Sequence, residues 1–129
     1  MTQRPLRIID SITELRPGDA GCIAVSGSHG GVSSARFALA TRPVLAVFND
    51  AGGGRDGAGF AGLALLQAQG IAACTVGHDS ARIGDARSTL DDGIITRANA
   101  AAGALGIAPG QRCRDAIAAA GPIEPGDDQ

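Results

Sequence analysis

The sequence predicts an α/β domain in which helices flank a short, mainly parallel sheet of three or four strands. Three apolar runs rich in β-branched residues indicate buried strands at residues 21–26, 44–48 and 71–76. Glycines and polar residues follow the first two runs, and stretches rich in alanine and leucine come next. Repeated strand, loop and helix units are typical of parallel sheets, so we expect a three-layer Rossmann-like (flavodoxin-like) fold.

The N-terminal residues predict small elements ahead of the first buried strand. Residues 6–9 suit a short edge strand. Ser11 and Glu14 have the spacing of a capping box, which predicts a helical turn over residues 11–15. A turn is expected at residues 16–19, which contain Pro-Gly-Asp.

Two helices are predicted between the buried strands, at residues 32–40 and 60–69. Gly70 suits the position just after the second helix, and the strand at 71–76 follows at once. Short links of this kind connect helices to parallel strands. We expect the strand order 2-1-3, with the run at 21–26 in the middle.

The C-terminal half is less regular in its pattern. Residues 77–93 show no clear helical period apart from one turn at 80–83, and loops of this length are usually functional or disordered. Apolar residues at helical spacing predict a helix over residues 94–105, with Asp91 and Asp92 capping its N-terminus.

A last helix is predicted over residues 109–121. Residues 122–129 contain three acidic side chains and suit a disordered tail. The sequence therefore predicts one domain over residues 1–121, followed by an acidic tail over 122–129.

Composition excludes several classes of function. The formal net charge is −2, and three Phe with no Trp or Tyr leave few rings for stacking bases, so nucleic acid is not an expected partner. All eleven basic residues are Arg, and the absence of Lys excludes Schiff-base chemistry. No stretch is long and apolar enough to span a membrane, and the three Cys show no paired spacing, so we expect a cytoplasmic protein.

Polar residues at the ends of the three apolar runs predict a site. His29, Asp50 and His78 are the candidate catalytic residues, since imidazole exchanges protons near neutral pH and a carboxylate can orient it. The carboxyl ends of parallel strands are where open α/β sheets bind ligands. With the order 2-1-3, these three side chains would converge.

The segment between the first strand and its helix predicts anion binding. Ser26, Ser28, Gly30 and Gly31 are candidate substrate-binding residues, because glycines expose backbone N–H groups and a helix N-terminus favours negative charge. The alternative is a glycine turn that only lets the helix pack closely. The segment matches no nucleotide-binding motif, so no nucleotide cofactor is expected.

Three further residues are candidate substrate contacts: Asn49, Ser80 and Arg82. Arg82 can bind a carboxylate or phosphate in bidentate fashion, and the alternative is an ion pair with Asp85 that shapes the loop.

A divalent metal is a further possibility, although the sequence shows no metal-ligand spacing. If one is present, its ligands would be His29, Asp50 and His78.

These features favour a small enzyme, or the subunit of an enzyme that carries its active site, acting on a small anionic metabolite. Acid/base chemistry of the hydrolase, lyase or isomerase type fits the residues. The alternative is a non-catalytic subunit that senses a ligand or takes part in assembly. Alanine-rich helices favour a homo-oligomer or a place in a larger enzyme.

Overall fold

A computed structural model describes residues 4–120 and 123–124, in which a six-stranded sheet carries helices on both faces. The sheet order is β5-β4-β3-β2-β1-β6, and every pairing is parallel except that of β5 with β4. The strands are β1 (Arg4–Ile9), β2 (Ile23–His29), β3 (Leu45–Asn49), β4 (Ala72–Val76), β5 (Ile95–Ala98) and the two-residue β6 (Ile123–Glu124). This confirms a mainly parallel α/β sheet compatible with a Rossmann-like fold. It has more strands than the three or four predicted.

Alternation along the buried strands creates the two cores. In β3, Leu45 and Val47 contribute to one core, whereas Ala46 and Phe48 contribute to the other. Helices α1 and α2 cover the face of Phe48, and α3, α4 and α5 cover the face of Val47. The helices are α1 (Val32–Thr41), α2 (Gly62–Ala68), α3 (Ala86–Asp92), α4 (Ala100–Ala104) and α5 (Cys113–Ala119).

The N-terminal predictions are mostly confirmed. Ser11 caps a short 3-10 helix (Ile12–Glu14), where its backbone N–H donates to Glu14 Oε2 at 3.0 Å and its Oγ accepts from Thr13 N at 3.2 Å. A second 3-10 helix (Pro17–Asp19) forms the predicted turn. Residues 6–9 of β1 pair with β2, and β6 pairs with the two preceding residues, Arg4 and Pro5, on the other side of the strand.

The predicted strand order 2-1-3 is wrong. The middle of the three buried strands is β3, which pairs with β2 on one side and with β4 on the other. Both crossover helices, α1 and α2, lie on the same face of the sheet, so the two connections place their strands in the same direction: β3 next to β2, and then β4 next to β3. The strand that ends at His29 is therefore separated by β3 from the strand that precedes His78.

The predicted helix over residues 94–105 is also wrong. Its first part is β5, where Thr96 bonds across to Thr75 and the β-branched sequence Ile94-Ile95-Thr96 suits a strand. Its second part is α4, which begins where the Asn99 side chain accepts from Ala102 N at 3.0 Å. Strand pairing thus overrides the apolar spacing that suggested one helix.

Helix α3 lies within the stretch predicted to be irregular. The Asp85 side chain caps its N-terminus by accepting from Ser88 N at 3.0 Å. Asp91 and Asp92 do not cap a following helix as predicted, because they form the last turn of α3 itself. Asp91 pairs there with Arg114 on α5.

The C-terminal elements differ from the prediction in extent. Helix α5 begins at Cys113 rather than near residue 109, because residues 109–110 form a turn. Residues 123–124 of the predicted tail form β6, and the other residues of 122–129 lie outside the described residues. Among the helices of the described residues, none is long and apolar enough to cross a membrane.

Candidate functional site

The chain leaves the ends of β3 and β4 in opposite directions. After β3 it runs to α2 on one face of the sheet, and after β4 it runs to α3 on the other. Strands whose connections diverge in this way leave a crevice at their carboxyl ends, where open α/β sheets bind ligands. Asp50 and His78 lie at this crevice.

An open cavity of about 290 Å³ occupies the crevice, and we call it the polar cavity. It is lined by Asp50, Gly52, Gly53, Phe60, His78, Asp79, Thr96 and Arg97.

Asp50 is held by three hydrogen bonds, and its side chain is only 15% exposed. Its Oδ1 accepts from Gly52 N at 2.8 Å and from His78 N at 3.1 Å, and its Oδ2 accepts from Thr96 Oγ1 at 2.9 Å. Burial alone would raise the pKa of Asp50, but these hydrogen bonds and the charge of His78 hold the pKa below its ordinary value of 3.8. Asp50 is therefore a carboxylate at neutral pH.

A directed chain of hydroxyls supports that carboxylate. Thr96 Oγ1 lies 2.9 Å from Thr75 Oγ1 as well as from Asp50 Oδ2. Because an ionised carboxylate only accepts, Thr96 must donate to Asp50. Its oxygen is then free to accept from the fully buried Thr75.

His78 faces solvent beside this anchored carboxylate. Its Nδ1 lies 3.6 Å from Asp50 Oδ1, and its side chain is 60% exposed. A Cβ placed on Gly52 would lie 3.4 Å from the imidazole ring, so the ring packs against the backbone of this residue. His78 is thus positioned on one side while it stays accessible to a ligand.

Arg97 brings positive charge to the same cavity. Its guanidinium carbon lies 3.7 Å from the centroid of the Phe60 ring, a cation–π contact that holds the side chain. Sequence reasoning missed Thr96 and Arg97 because both were assigned to a helix rather than to β5. The β-branched residues just before them were the signal for a strand.

His29 lies in a neighbouring cavity of about 240 Å³, and we call it the apolar cavity. Its other lining residues are Ala51, Gly54, Ala58, Gly59 and Ile83. His29 Nδ1 accepts from Gly31 N at 3.1 Å, so Nε2 carries the proton of the neutral ring.

The structure therefore brings together two of the three predicted catalytic residues, Asp50 and His78. In the part of the chain that the structure describes, no three His, Cys, Asp or Glu side chains are grouped to hold a metal ion. The metal site considered for His29, Asp50 and His78 is accordingly not formed. The convergence fails because β3 lies between the strands that lead to the two histidines.

Two serines of the predicted anion-binding segment have protein partners. Ser26 Oγ is buried and donates to Val47 O at 2.8 Å, and Ser28 Oγ accepts from Ile12 N at 2.9 Å.

The backbone of the two glycines in this segment is engaged as well. Gly30 N donates to Asn49 O at 3.0 Å and to Gly59 O at 2.9 Å, while Gly31 N donates to His29. Both N–H groups therefore bond to acceptors within the protein.

Asn49 and Ser80 hold the loops that surround the site. Asn49 is fully buried, donates from Nδ2 to Ala81 O at 3.1 Å and accepts at Oδ1 from Ala51 N at 2.8 Å. Ser80 Oγ donates to Gly77 O at 2.9 Å and accepts from Ile94 N at 3.0 Å. Both side chains thus position backbone around the polar cavity.

Arg82 lies away from the polar cavity. It lines a different cavity, of about 300 Å³, with Asp85, Arg87, Ser88, Asp91 and Asp92. The Asp85 carboxylate caps α3 at that place.

No protein-family model, curated protein or solved structure matches this chain.

Proposed function

We propose that the polar cavity binds a small anionic metabolite and transfers a proton to or from it. The observation that carries this proposal is the placement of an exposed imidazole, a buried carboxylate and a stacked guanidinium around one cavity. The reaction belongs to the hydrolase, lyase or isomerase type, as acid/base chemistry requires only such groups.

His78 is the group that exchanges the proton. It is exposed, lies at the end of a parallel strand, and has a side chain suited to proton transfer near neutral pH. Asp50 orients the ring and stabilises the imidazolium that forms when His78 accepts a proton. Thr96 and Thr75 position Asp50 and do not meet the substrate in this proposal.

Arg97 binds the anion. Stacking on Phe60 occupies one face of the guanidinium, whereas its N–H donors lie in the plane of the group. The donors therefore stay available for bidentate contact with a carboxylate or phosphate.

The chemistry is tested with a library of small carboxylate and phosphate metabolites incubated with the protein in deuterated water. Proton NMR detects both new products and deuterium incorporated at carbon. We expect His78→Asn to reduce turnover by about 10²–10⁴-fold, the usual contribution of an acid/base group. Binding of a metabolite without turnover would contradict catalysis and favour the ligand-sensing alternative.

Anion binding is tested separately with Arg97→Gln. This variant is expected to weaken the affinity for the turned-over metabolite, whereas the matched control Arg36→Gln on the exposed surface of α1 should leave it unchanged. Equal effects of the two variants would contradict the role of Arg97.

A further inference from the structure

Two charged side chains of the polar cavity have no partner of opposite charge. Within the residues that the structure describes, the Asp79 carboxylate accepts no hydrogen bond and has no Arg or His nitrogen within 4.0 Å. Among the same residues, the guanidinium of Arg97 contacts the ring of Phe60 but forms no ion pair. A carboxylate and a guanidinium therefore line one cavity without binding each other.

A bulge in β5 brings Arg97 to this cavity. Arg97 pairs with Thr75 of β4. The next pair is Ile95 with Val76, so Thr96 is an extra residue between the two pairs. In a regular strand the neighbours Thr96 and Arg97 would point to opposite faces, but a bulge redirects side chains, and both residues line the polar cavity. The backbone of β5 thus directs Arg97 toward the site.

Gly77 leaves the space that the Asp79 carboxylate occupies. A Cβ placed on Gly77 would lie 2.6 Å from Asp79 Oδ1 and 3.2 Å from Thr96 Cγ2. A side chain at position 77 would therefore push against the carboxylate where it lies beside β5. The absence of that side chain lets Asp79 reach the cavity on the side of Thr96.

Asp79 differs from Asp50 because its oxygens are not used by the protein. The Asp50 carboxylate accepts three hydrogen bonds and its side chain is only 15% exposed. Asp79 is exposed and accepts none from the described part of the chain. Carboxylates form strong hydrogen bonds with ammonium groups, which carry three donors. Asp79 is therefore the acceptor that the cavity offers to a cationic group.

We infer that the metabolite bound in the polar cavity is a small amino acid, whose carboxylate binds Arg97 and whose ammonium group binds Asp79. A simple anion at Arg97 would add a negative charge to a cavity that already holds Asp50 and Asp79. An amino acid brings its own positive charge and gives both unpaired side chains a partner. This inference rests on the proposed function, because it uses Arg97 as the group that binds the anion.

The inference is tested by NMR titration with two matched series of ligands near neutral pH. One series is acetate, propanoate and butanoate, and the other is glycine, β-alanine and 4-aminobutanoate, which add an ammonium group to the last carbon. Both series should shift the resonances of His78 and Arg97, and only the amino acids should also shift those of Asp79. We expect at least one amino acid to bind about fivefold more tightly than its matched acid, the gain that an ion pair at an exposed carboxylate can provide.

Asp79→Asn removes the proposed partner of the ammonium group and, as a change at an exposed side chain, preserves the core. We expect this variant to abolish the gain of the amino acids and not to weaken binding of the simple acids. The matched control is Asp115→Asn, which removes the same charge from an exposed position on α5 and should leave the gain unchanged.

The outcomes separate this inference from the proposed function. If the simple acids bind at Arg97 and no amino acid binds more tightly, or the gain persists in Asp79→Asn, the inference is overturned and the proposed function stands. An equal loss of the gain in Asp115→Asn would also overturn it, because the effect would then be one of net charge. If no ligand of either series shifts His78 or Arg97, carboxylate binding at this site fails and both are overturned.

Discussion

Replacing Thr96 with Val removes one hydroxyl from the support of Asp50 while keeping the shape of the side chain. The variant loses the donor to Asp50 Oδ2 and the acceptor for Thr75. A hydrogen bond to a charged group contributes about 1.5–3 kcal/mol, and the low end applies because Thr96 is exposed. The buried Thr75 hydroxyl, left without this acceptor, adds about 1 kcal/mol, so we expect a total loss of stability of about 2.5 kcal/mol.

Urea unfolding near neutral pH measures this loss. The matched control is Thr41→Val, since the Thr41 hydroxyl donates only at 3.3 and 3.4 Å to carbonyls of its own helix. In an Asp50→Asn background, Thr96→Val should lower the free energy of unfolding by about 1 kcal/mol less than it does in the wild type, because the charged acceptor is gone. A loss of stability no larger than that of Thr41→Val, or the same loss in both backgrounds, would refute the hydrogen-bond chain from Thr75 through Thr96 to Asp50.

Three further predictions concern acidity, thiol reactivity and packing. The folded-state pKa of Asp50 lies below 3.8, so its stabilising contribution is present above that pH and is lost as the pH falls through the folded value. Unfolding free energies of Asp50→Asn and the wild type should therefore converge in acid, and a constant difference would contradict the shift. Burial raises the pKa of Cys74 well above its ordinary value and that of Cys113 from 9.0 to about 12. Near pH 8, the thiolate fraction of Cys113 should thus be about a thousandfold lower than that of an ordinary cysteine. Ellman's reagent should therefore label Cys74 and Cys113 only after denaturation, and rapid labelling of these two thiols in the folded protein would contradict the prediction. Gly27→Ala should lower the free energy of unfolding in urea by about 3 kcal/mol, because its Cβ would overlap the backbone of Gly84 and Asp85 in the connection between β4 and α3. Gly103→Ala in α4 meets nothing within 4 Å and should be neutral or stabilising. Similar stabilities of these two alanine variants would contradict the close packing at Gly27.

The buried strands and the polar residues at their ends were predictable because they depend on local pattern. The alternation in β3 and the apolar residues of β4 mark strands, and Asp50 and His78 follow those strands directly. The pairing of these two residues across the crevice was part of the predicted convergence, and the structure contains it.

Strand order and the role of β5 depend on long-range contacts that the local pattern does not contain. Nothing near His29 in sequence indicates that β3 separates it from β4. Likewise, Thr96 and Arg97 reach the site only because β5 pairs antiparallel with β4, and the apolar residues around them have helical spacing as well. The β-branched residues before Thr96 could therefore indicate a strand, but not that its pairing with β4 brings Thr96 and Arg97 to the site.

In the proposed function, ligands bind at the crevice between the ends of β3 and β4. The most direct test is a map of NMR chemical-shift changes over the whole protein as acetate is added. We expect the largest changes at His78, at Arg97 and at the amide of Gly52. Largest changes at Arg82 and Arg87, in the cavity beside α3, would contradict it and move the site to the other side of the β4–α3 connection.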